Sequence, residues 1–470
     1  MPGFGGILSI ARSALTTSQA AVQIASHNIA NANTPGYSRQ REVLSEGTPE
    51  NTPAGIFGTG VSLVNVQRQR DSMLDQEYRL SNGQAGAAGM RSDYLQRVEN
   101  VFAEPSDNGL SNALDKFYNA WSDLSSDPNN PSARTAVQQA GSTLAQTFNG
   151  IASQLSSLKS EAVDRARSTV GDINRMASQI SELNGRIVAT ESGGGTASDL
   201  RDQRDVLLDT MSKSASVRVI EHTDGSVQVM LGTISLVDGI GAKQVQLTNT
   251  TTMDFNVVGS PDKIRSVGGE LGALQDVYNT DIAGVEQGVD ALANAVITDV
   301  NTLHRTGWSP AAGAAGNWNA ALGPTGSNVD FFDSAAASGN AAHMQLSAAV
   351  QADAQAIAAG TAQNETGDNS LALSMSGLRD NAPSAANTNF AADFRTLVGG
   401  IAGHLNEAKN SSTVYTTLTS QSEQRRTAVF GVSVDEELIQ IMRQQQAYAA
   451  ASKIVKTVDE MMQTLLSLKQ

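Results

Sequence analysis

The chain of 470 residues contains no cysteine. It therefore cannot form disulfides, thiolate zinc sites or iron–sulfur centres, and it has no cysteine nucleophile. Aromatic residues make up only 4% of the chain. Because bulky side chains are scarce, we expect slim helices and small sheets in an elongated molecule. At roughly 150 residues per domain, the length predicts about three domains.

Long apolar runs and basic clusters are also missing. No stretch approaches the ~18 consecutive apolar residues of a transmembrane helix. The first residues, MPGFGGILSIARSAL, lack the basic start and the long apolar core of a secretory signal, so we expect any export to leave the N-terminus uncleaved. The net charge is −15, and the 32 basic residues are scattered. We therefore expect no membrane insertion and no nucleic-acid partner.

Catalytic motifs are absent as well. The five histidines are far apart in the sequence and have no metal-ligand spacing, and no nucleophile elbow, phosphate-binding loop or dinucleotide fingerprint occurs. Paired carboxylates such as Asp202 and Asp205 are interpreted as surface charges on a solvated helix. The sequence thus predicts no catalytic residue, no cofactor and no metal site, and we expect a protein that is not an enzyme.

Near the N-terminus, residues 7–32 have the periodicity of a helix with a heptad stripe. One seam position carries large residues every seven positions, and the alternate seam position carries small residues, which would let a partner helix approach closely. The large residues are Leu8, Leu15, Val22 and Ile29, and the small ones are Ala11, Ser18, Ala25 and Ala32. The alternative is an ordinary amphipathic helix that packs on a globular core.

Residues 434–470 show a second long helical stripe. Ser433 can cap this helix, and the acidic residues 435–437 suit the positive end of the helix dipole. About 35 residues without glycine or proline indicate a coiled coil. Since neither stripe can be buried alone, we expect the two helices to pair with each other or with other copies. The predicted interface comprises Leu8, Leu15, Val22, Ile29, Leu438, Ile441, Tyr448, Val455, Val458, Met462 and Leu465.

The middle of the chain alternates between helical and strand patterns. Residues 60–66 resemble a strand, and long helical patterns follow over residues 90–211. Alternation of period two around Asp224–Gly225 predicts a hairpin within a small antiparallel β domain. Helix is expected again from Gly269, and alanine-rich helix from about residue 328 to the C-terminal stripe.

These patterns predict a mainly α fold with a small inserted antiparallel β domain. The elongated, multi-domain chain would combine a terminal coiled coil with a long helical bundle. The expected domains are residues 1–45 and 433–470 as the two halves of the terminal coiled coil, residues 46–212 and 263–432 as the two parts of the helical domain, and residues 213–262 as the β domain.

The segment HNIANANTPGYSRQR, residues 27–41, follows the first helical stripe. Its asparagines tolerate left-handed backbone and can end a helix, the residue before the proline is pushed towards extended geometry, and Pro-Gly favours a turn. From these properties alone the segment predicts a helix–loop–strand corner. The residues that define it are Asn28, Asn31, Asn33, Thr34, Pro35, Gly36 and Tyr37.

The same corner resembles the N-terminal signature of bacterial flagellar rod, hook and hook-associated proteins. Residues 433–466, SVDEELIQIMRQQQAYAAASKIVKTVDEMMQTLL, resemble the C-terminal signature of these proteins. The TPGY corner distinguishes the chain from flagellin, and the long helical middle distinguishes it from the hook and distal rod types. Segments such as GVSLVNVQRQRDSMLDQEYR are similar to the hook-side member of the hook–filament junction.

This resemblance implies a non-catalytic, structural component of the extracellular flagellum, exported unfolded by the flagellar type III apparatus. The partners that it implies are further copies in a ring, the hook protein, the filament-side junction protein, and an export chaperone at the C-terminal helix. Another flagellar axial protein, or a secreted coiled-coil adhesin or effector, is the alternative. A cell-wall hydrolase is a weaker one.

Overall fold

The computed structural model describes residues 4–52, 55–102, 109–309, 329–334, 341–362, 365, 367–380 and 389–467. Its helices are α1 (Phe4–Ala30), α2 (Ser72–Phe102), α3 (Leu110–Ser126), α4 (Pro131–Glu191), α5 (Ser198–Ser214), α6 (Gly269–Asp276), α7 (Ala283–His304), α8 (Ala348–Ala352), α9 (Ser370–Gly377), α10 (Phe390–Phe430) and α11 (Val434–Ser467). Its strands are β1 (Gln40–Glu46), β2 (Glu50–Thr52), β3 (Gly55–Phe57), β4 (Val61–Arg68), β5 (Val217–Glu221), β6 (Val227–Leu231), β7 (Ile234–Asp238), β8 (Gly241–Ala242), β9 (Val245–Asn249) and β10 (Asp254–Val257).

The predicted fold class, mainly α with a small antiparallel β part, is confirmed. A π-helical turn, Val277–Ile282, joins α6 to α7. Among the described residues, none of the helices combines the length and the hydropathy that a membrane crossing requires.

Helices α1 and α11, here called the terminal pair, pack against each other. The small seam residues Ala11, Ser18 and Ala25 of α1 are buried, as are Ala451 and Val458 of α11. Because small side chains lie in the seam, the two helices approach closely and cover little of their larger apolar side chains.

An antiparallel ribbon, described over residues 40–52 and 55–68, connects the corner to α2. Strand β1 pairs with β4 from Gln40↔Arg68 to Glu46↔Val61, with a bulge after Val43, and β2 pairs with β3 at the far end. The ribbon folds back along α1, where the N–H of Val61 lies 3.4 Å from the Ser13 hydroxyl. The sequence predicted a strand directly after the corner and another over residues 60–66, and the structure contains both as β1 and β4. The sequence assigned residues 46–71 to the helical domain, whereas residues 46–68 belong to the ribbon where they are described.

Helices α2–α7 form the body of the molecule, which α10 completes by packing along α2. Its core is continuous with that of the β domain. Four aromatic rings, those of Phe117, Trp121, Phe331 and Phe332, are fully buried together. Part of the chain's few aromatic residues is thus concentrated in one place, which gives the body a thicker core there than the composition suggested.

The β domain consists of a four-stranded sheet in the order β5-β6-β7-β8 and a separate β9–β10 hairpin. The predicted turn at Asp224–Gly225 connects β5 and β6, and Gly225 has a φ of +85°. Asparagines of α4 anchor the domain: the Asn174 amide donates to the Val245 carbonyl at 2.9 Å, and the Asn184 amide to that of Val227 at 2.8 Å.

The alanine-rich helix expected from residue 328 onwards is wrong over the described residues up to 389. They contain the short helices α8 and α9 and isolated turns, and the long helix α10 begins only at Phe390. Hydrogen bonds between side chains and the backbone contribute to this, since Asp368 accepts from the N–H groups of Thr361, Ala362 and Ser370. Such local bonds compete with helix formation. Before this segment, the residues from Thr306 to about Asn328 are rich in glycine, alanine and asparagine and predict a loop, most of which lies outside the described residues.

Candidate assembly site

The corner after α1 requires glycine at one position. The amide of Tyr37 closes a turn onto the Thr34 carbonyl at 3.2 Å, and Gly36 has a φ of +79°. A Cβ atom at Gly36 would lie 2.1 Å from Cγ2 of Val206 in α5. Both the left-handed backbone and the close contact therefore exclude a larger residue without rearrangement. The chain leaves this turn into β1.

Asn28 connects the segments that meet at the corner. Its Oδ1 accepts hydrogen bonds from the Tyr37 hydroxyl at 2.8 Å and from the Gln40 N–H at 3.0 Å. Its Nδ2 donates to the Gln40 carbonyl at 2.9 Å and to Glu437 of α11 at 3.1 Å. Burial, with the negative charges nearby, raises the pKa of Tyr37 above its usual value. One buried amide thus connects the end of α1, the start of β1 and the start of α11.

The first turn of α11 is tied to the corner by Arg39. Its backbone N–H donates to the Phe430 carbonyl at 2.9 Å. Its guanidinium bonds Glu437 at 2.7 Å and Glu436 at 2.8 Å. Glu437 is only 3% exposed. A buried carboxylate without its cation would be costly, so this pairing holds the two chain ends together.

Ser38 connects the corner to the body. Its N–H and its hydroxyl donate to Asp202 of α5 at 2.9 and 2.7 Å. Arg68, the last residue of β4, bonds both Asp202 and Asp205 at 2.7 and 2.8 Å. The interpretation of these two aspartates as solvated surface charges is therefore wrong, because both are buried and paired with residues more than 120 positions away in sequence.

Further arginines complete this ion-pair cluster. Arg79 bonds Asp205 at 3.1 Å, and Arg426 of α10 bonds Asp75 at 3.1 Å. Burial alone would raise the pKa of Asp205, but the neighbouring arginines outweigh it and hold that pKa below its usual range. We call the whole cluster the joint; its members are Asn28, Tyr37, Ser38, Arg39, Arg68, Arg70, Asp75, Arg79, Asp202, Asp205, Asp209, Arg426 and Glu437.

The joint fixes the terminal pair to the body. Removing one member of a buried ion pair typically costs about 3–5 kcal/mol, since the remaining charge is left without a partner. Sequence reasoning identified the corner residues but not the joint, whose members come from distant segments. The density of arginine and aspartate in QRQRDSMLDQEYR was the available signal. No group of metal ligands occurs among the described residues.

The predicted interface residues differ in their exposure. Val458 is buried, and Leu15, Val22, Ile29, Ile441 and Val455 are half-buried. Leu8, Leu438, Tyr448, Met462 and Leu465 are exposed, with Leu438 at 48% and Leu465 at 51%. Exposed apolar side chains that the sequence reasoning did not single out are Ile7, Ile10, Ile439, Met442, Ile454, Met461 and Leu466.

Helix α11 therefore presents large apolar side chains on several faces, only one of which contacts α1. Large apolar side chains outside the contact face are typical of a helix that a further partner covers. Near its C-terminal end, a groove of about 480 Å³ runs between the two helices, lined by residues that include Phe4, Leu8 and Met462. The terminal pair is thus a two-helix unit whose apolar surface is incompletely covered.

Comparisons with known proteins agree with this architecture. The family model "Flagellar hook-associated protein FlgK helical domain" matches residues 95–317. "Flagella basal body rod protein" matches residues 8–37, and "Flagellar basal body rod FlgEFG protein C-terminal" matches residues 426–468. The last two cover the terminal pair, and the first covers most of the body.

Curated relatives span nearly the whole chain. Flagellar hook-associated protein 1 of Bacillus subtilis is 28% identical, over 98% of this chain and 97% of its own length. The Salmonella typhimurium protein of the same name is 24% identical, over 98% of this chain and 100% of its own. The solved structure of the flagellar hook junction protein FlgK from Burkholderia pseudomallei has the same fold, with a TM-score of 0.63 at 16% identity, covering 75% of this chain and 100% of its own.

A terminal helix pair formed by the two chain ends, joined through an Asn-Thr-Pro-Gly-Tyr corner to a helical body, defines a bacterial flagellar axial protein. Within this class, the chain is similar along nearly its whole length to flagellar hook-associated protein 1 of other bacteria.

Proposed function

We propose that this protein is a structural component of the hook–filament junction, where copies of the chain assemble into a ring through their terminal pairs. The observation that carries the proposal is the set of large apolar side chains that α1 and α11 leave exposed. Burying one such side chain contributes about 1.5–3 kcal/mol. Neighbouring copies that cover several of them would therefore gain enough free energy to hold a ring together.

In this proposal the joint determines the geometry of assembly. Its ion pairs fix how the terminal pair leaves the body, so every copy presents its stripe at the same angle. Repeated identical contacts close into a ring only if each subunit has the same shape. The corner and the joint thus act through geometry, and the protein acts without catalysis.

The proposed partners follow from the same surfaces. Besides further copies, they are the hook protein on one side and the filament-side junction protein on the other. We expect the chain to reach the extracellular flagellum through the flagellar type III apparatus in an unfolded state. An export chaperone that covers α11 beforehand would shield its exposed apolar residues, such as Met442 and Leu465, from aggregation.

The test places a charge in the stripe. Leu438→Asp, introduced into a strain that lacks the wild-type protein, should abolish filaments while hooks remain visible by electron microscopy. A charge buried in an apolar interface costs several kcal/mol unless it is paired. Because Leu438 is exposed in the single chain, the far-UV spectrum and melting curve of the purified variant should match those of the wild type.

Gln446→Asp is the matched control. Gln446 lies on the same helix, is exposed, and already carries a polar side chain. This variant should assemble and swim. Filaments of normal length in the Leu438→Asp strain, at equal amounts of secreted protein, would contradict the assignment of the stripe to a packed interface. Filaments in the strain without any copy of the gene would contradict a role at the junction.

A further inference from the structure

A cleft of about 700 Å³ lies between α2 and the β domain, next to the joint. Five arginines line it: Arg68, Arg70, Arg79, Arg204 and Arg218. The first three are engaged by aspartates of the joint. The other two form no ion pair among the described residues, and Glu221, a carboxylate that also lines the cleft, is paired with Arg201. The cleft therefore contains positive charge that the joint does not neutralise.

Arg204 is the more unusual of these two residues because it is only 1% exposed. It donates to the Asn184 side-chain oxygen at 2.9 Å and to the Gly225 carbonyl at 2.7 Å, both neutral acceptors. Its Nε has no hydrogen-bond partner among the described residues. A buried guanidinium without a carboxylate is costly, and an anion entering the cleft would lower that cost. Arg218 is exposed at the rim on β5.

The walls of the cleft suit an extended peptide. Strand β5 is the edge of its sheet and pairs only with β6 among the described strands, so one row of its backbone groups faces no neighbouring strand. Leu80 on α2 lines the opposite wall and is 61% exposed. A peptide could add to such an edge as a further strand, while its side chains use the arginines and the apolar wall.

The tip of the ribbon, described over residues 44–52 and 55–57, has the complementary chemistry. Glu46 and Glu50 are exposed, and no basic side chain of the described residues pairs with either of them. Ile56 on β3 is 74% exposed, and Leu44 on β1 is 44% exposed. The described part of the tip therefore offers two carboxylates without a basic partner among the described residues, and two uncovered apolar side chains.

The tip of a chain cannot reach the cleft of the same chain. The ribbon holds its far end near Ser13 of α1, where the Val61 N–H meets the Ser13 hydroxyl. The cleft begins at the base of the ribbon, beside Arg68 and close to the end of α1. From Ser13 to Asn28 the helix rises by about 22 Å, at 1.5 Å per residue. The occupant must come from another molecule.

We infer that the ribbon tip of one copy docks in the cleft of a neighbouring copy, with Glu50 facing Arg218 and Ile56 packing near Leu80. This inference rests on the proposed self-assembly and adds a second, charged interface to the apolar stripe. Because copies in a ring are related by one rotation, each subunit would donate its tip on one side and receive a tip on the other.

The absence of cysteine allows a direct test with the full-length chain. Glu50→Cys and Arg218→Cys proteins are prepared separately, mixed, and oxidised, and disulfide-linked heterodimers are measured on non-reducing gels. The control replaces Arg218→Cys by Asp238→Cys, an exposed position on β7 of the same domain. Heterodimers of the first pair should form several-fold faster than those of the control pair. Adding 0.5 M NaCl should slow their formation, because salt screens the remaining charges of the interface. Equal rates for the two pairs would overturn the inference.

A charge exchange in cells separates this inference from the proposed function. Arg218→Glu should reduce the number of filaments, and adding Glu50→Arg in the same chain should restore it. If Arg218→Glu assembles normally while Leu438→Asp does not, docking in the cleft is wrong and the junction role stands. If both variants assemble normally, the proposed function itself fails. Loss of filaments in Arg218→Glu without restoration by Glu50→Arg also counts against the inference.

Discussion

At the residue scale, buried polar side chains connect parts of the chain that are distant in sequence. Asn28 does so at the corner, where its amide satisfies both backbone groups of Gln40 and also reaches Glu437. His304 does so in the body: its Nδ1 lies 2.6 Å from the Val329 carbonyl, and its Nε2 accepts the Ala358 N–H at 3.0 Å. An imidazole with these two partners must be neutral, because Nε2 is needed as an acceptor.

His304 therefore makes stability depend on pH. Burial lowers its pKa from the ordinary 6.5 to about 4. Between pH 6.5 and 4 the unfolded chain binds a proton that the folded chain does not, so the stability present above pH 6.5 is lost as the pH falls. The loss amounts to about 3 kcal/mol, at 1.36 kcal/mol per pKa unit. Urea unfolding at pH 7.5, 6, 5 and 4 measures it.

His304→Gln is the comparison variant, because glutamine cannot titrate. It should be less stable at pH 7.5, since it cannot reproduce both hydrogen bonds. Its stability should fall less between pH 6.5 and 5, a window in which ordinary carboxyl groups contribute little. Parallel pH profiles for the wild type and the variant would contradict the neutral, doubly bonded state of His304.

The residues of the joint show where sequence reasoning stops. The corner could be predicted because asparagine, proline and glycine act on their own neighbours in the chain. The burial of Asp202 and Asp205 could not, since it depends on Arg68, Arg70 and Arg79 arriving from another segment. A charged residue within a helical pattern is predicted to be exposed to solvent unless its ion-pair partners are known. No rule about neighbouring residues in the sequence identifies those partners.

At the element scale, the corner decides where α1 ends and in which direction β1 leaves. Gly36→Ala should disturb this geometry, because alanine at a φ of +79° is strained and its Cβ meets Val206. A strained position of this kind costs about 1–3 kcal/mol. We expect faster protease cleavage at the corner and loss of filaments at equal secretion. Replacing Pro35 as well should let helix α1 continue past Asn33 and worsen the defect.

Two variants control for this experiment. Gly58→Ala should be nearly silent, since Gly58 has no positive φ and a Cβ atom at this position would have no neighbour within 4 Å. His27→Ala should also have a small effect, because the exposed ring loses only its contacts with the hydroxyl and the ring of Tyr37. An immotile His27→Ala strain together with a swimming Gly36→Ala strain would mean that the corner acts through chemistry.

Helices were easier to predict than strands for a physical reason. The stripes of α1 and α11 repeat along one continuous segment, so periodicity alone places them. Strand β1 needs β4 as its partner, and its outward side chains, such as Val43 and Leu44, carry no clean alternation across the bulge. The short elements between residues 329 and 389 depend on capping side chains and on contacts with α4, neither of which a pattern of apolar residues records.

At the scale of the whole molecule, the burial of apolar surface is uneven. The body and the β domain share one continuous core around α4. The terminal pair contributes few buried large residues, and its attachment depends on the polar joint. Elements with little buried apolar surface open at lower free energy than the core. In the single chain, α1 and α11 should therefore open long before the body unfolds.

Limited proteolysis of the purified, unassembled protein tests this difference. We expect trimming of roughly the first 45 and last 40 residues and a resistant body, because weakly packed ends are cleaved first. Hydrogen exchange should give the same order, with the amides of α11 exchanging well before those of α4. In assembled junctions the same amides should become protected, since neighbouring copies then cover the stripe. Termini as resistant as α4 in the dilute protein would contradict this account, because the exposed apolar residues of α11 would then need no partner to be ordered.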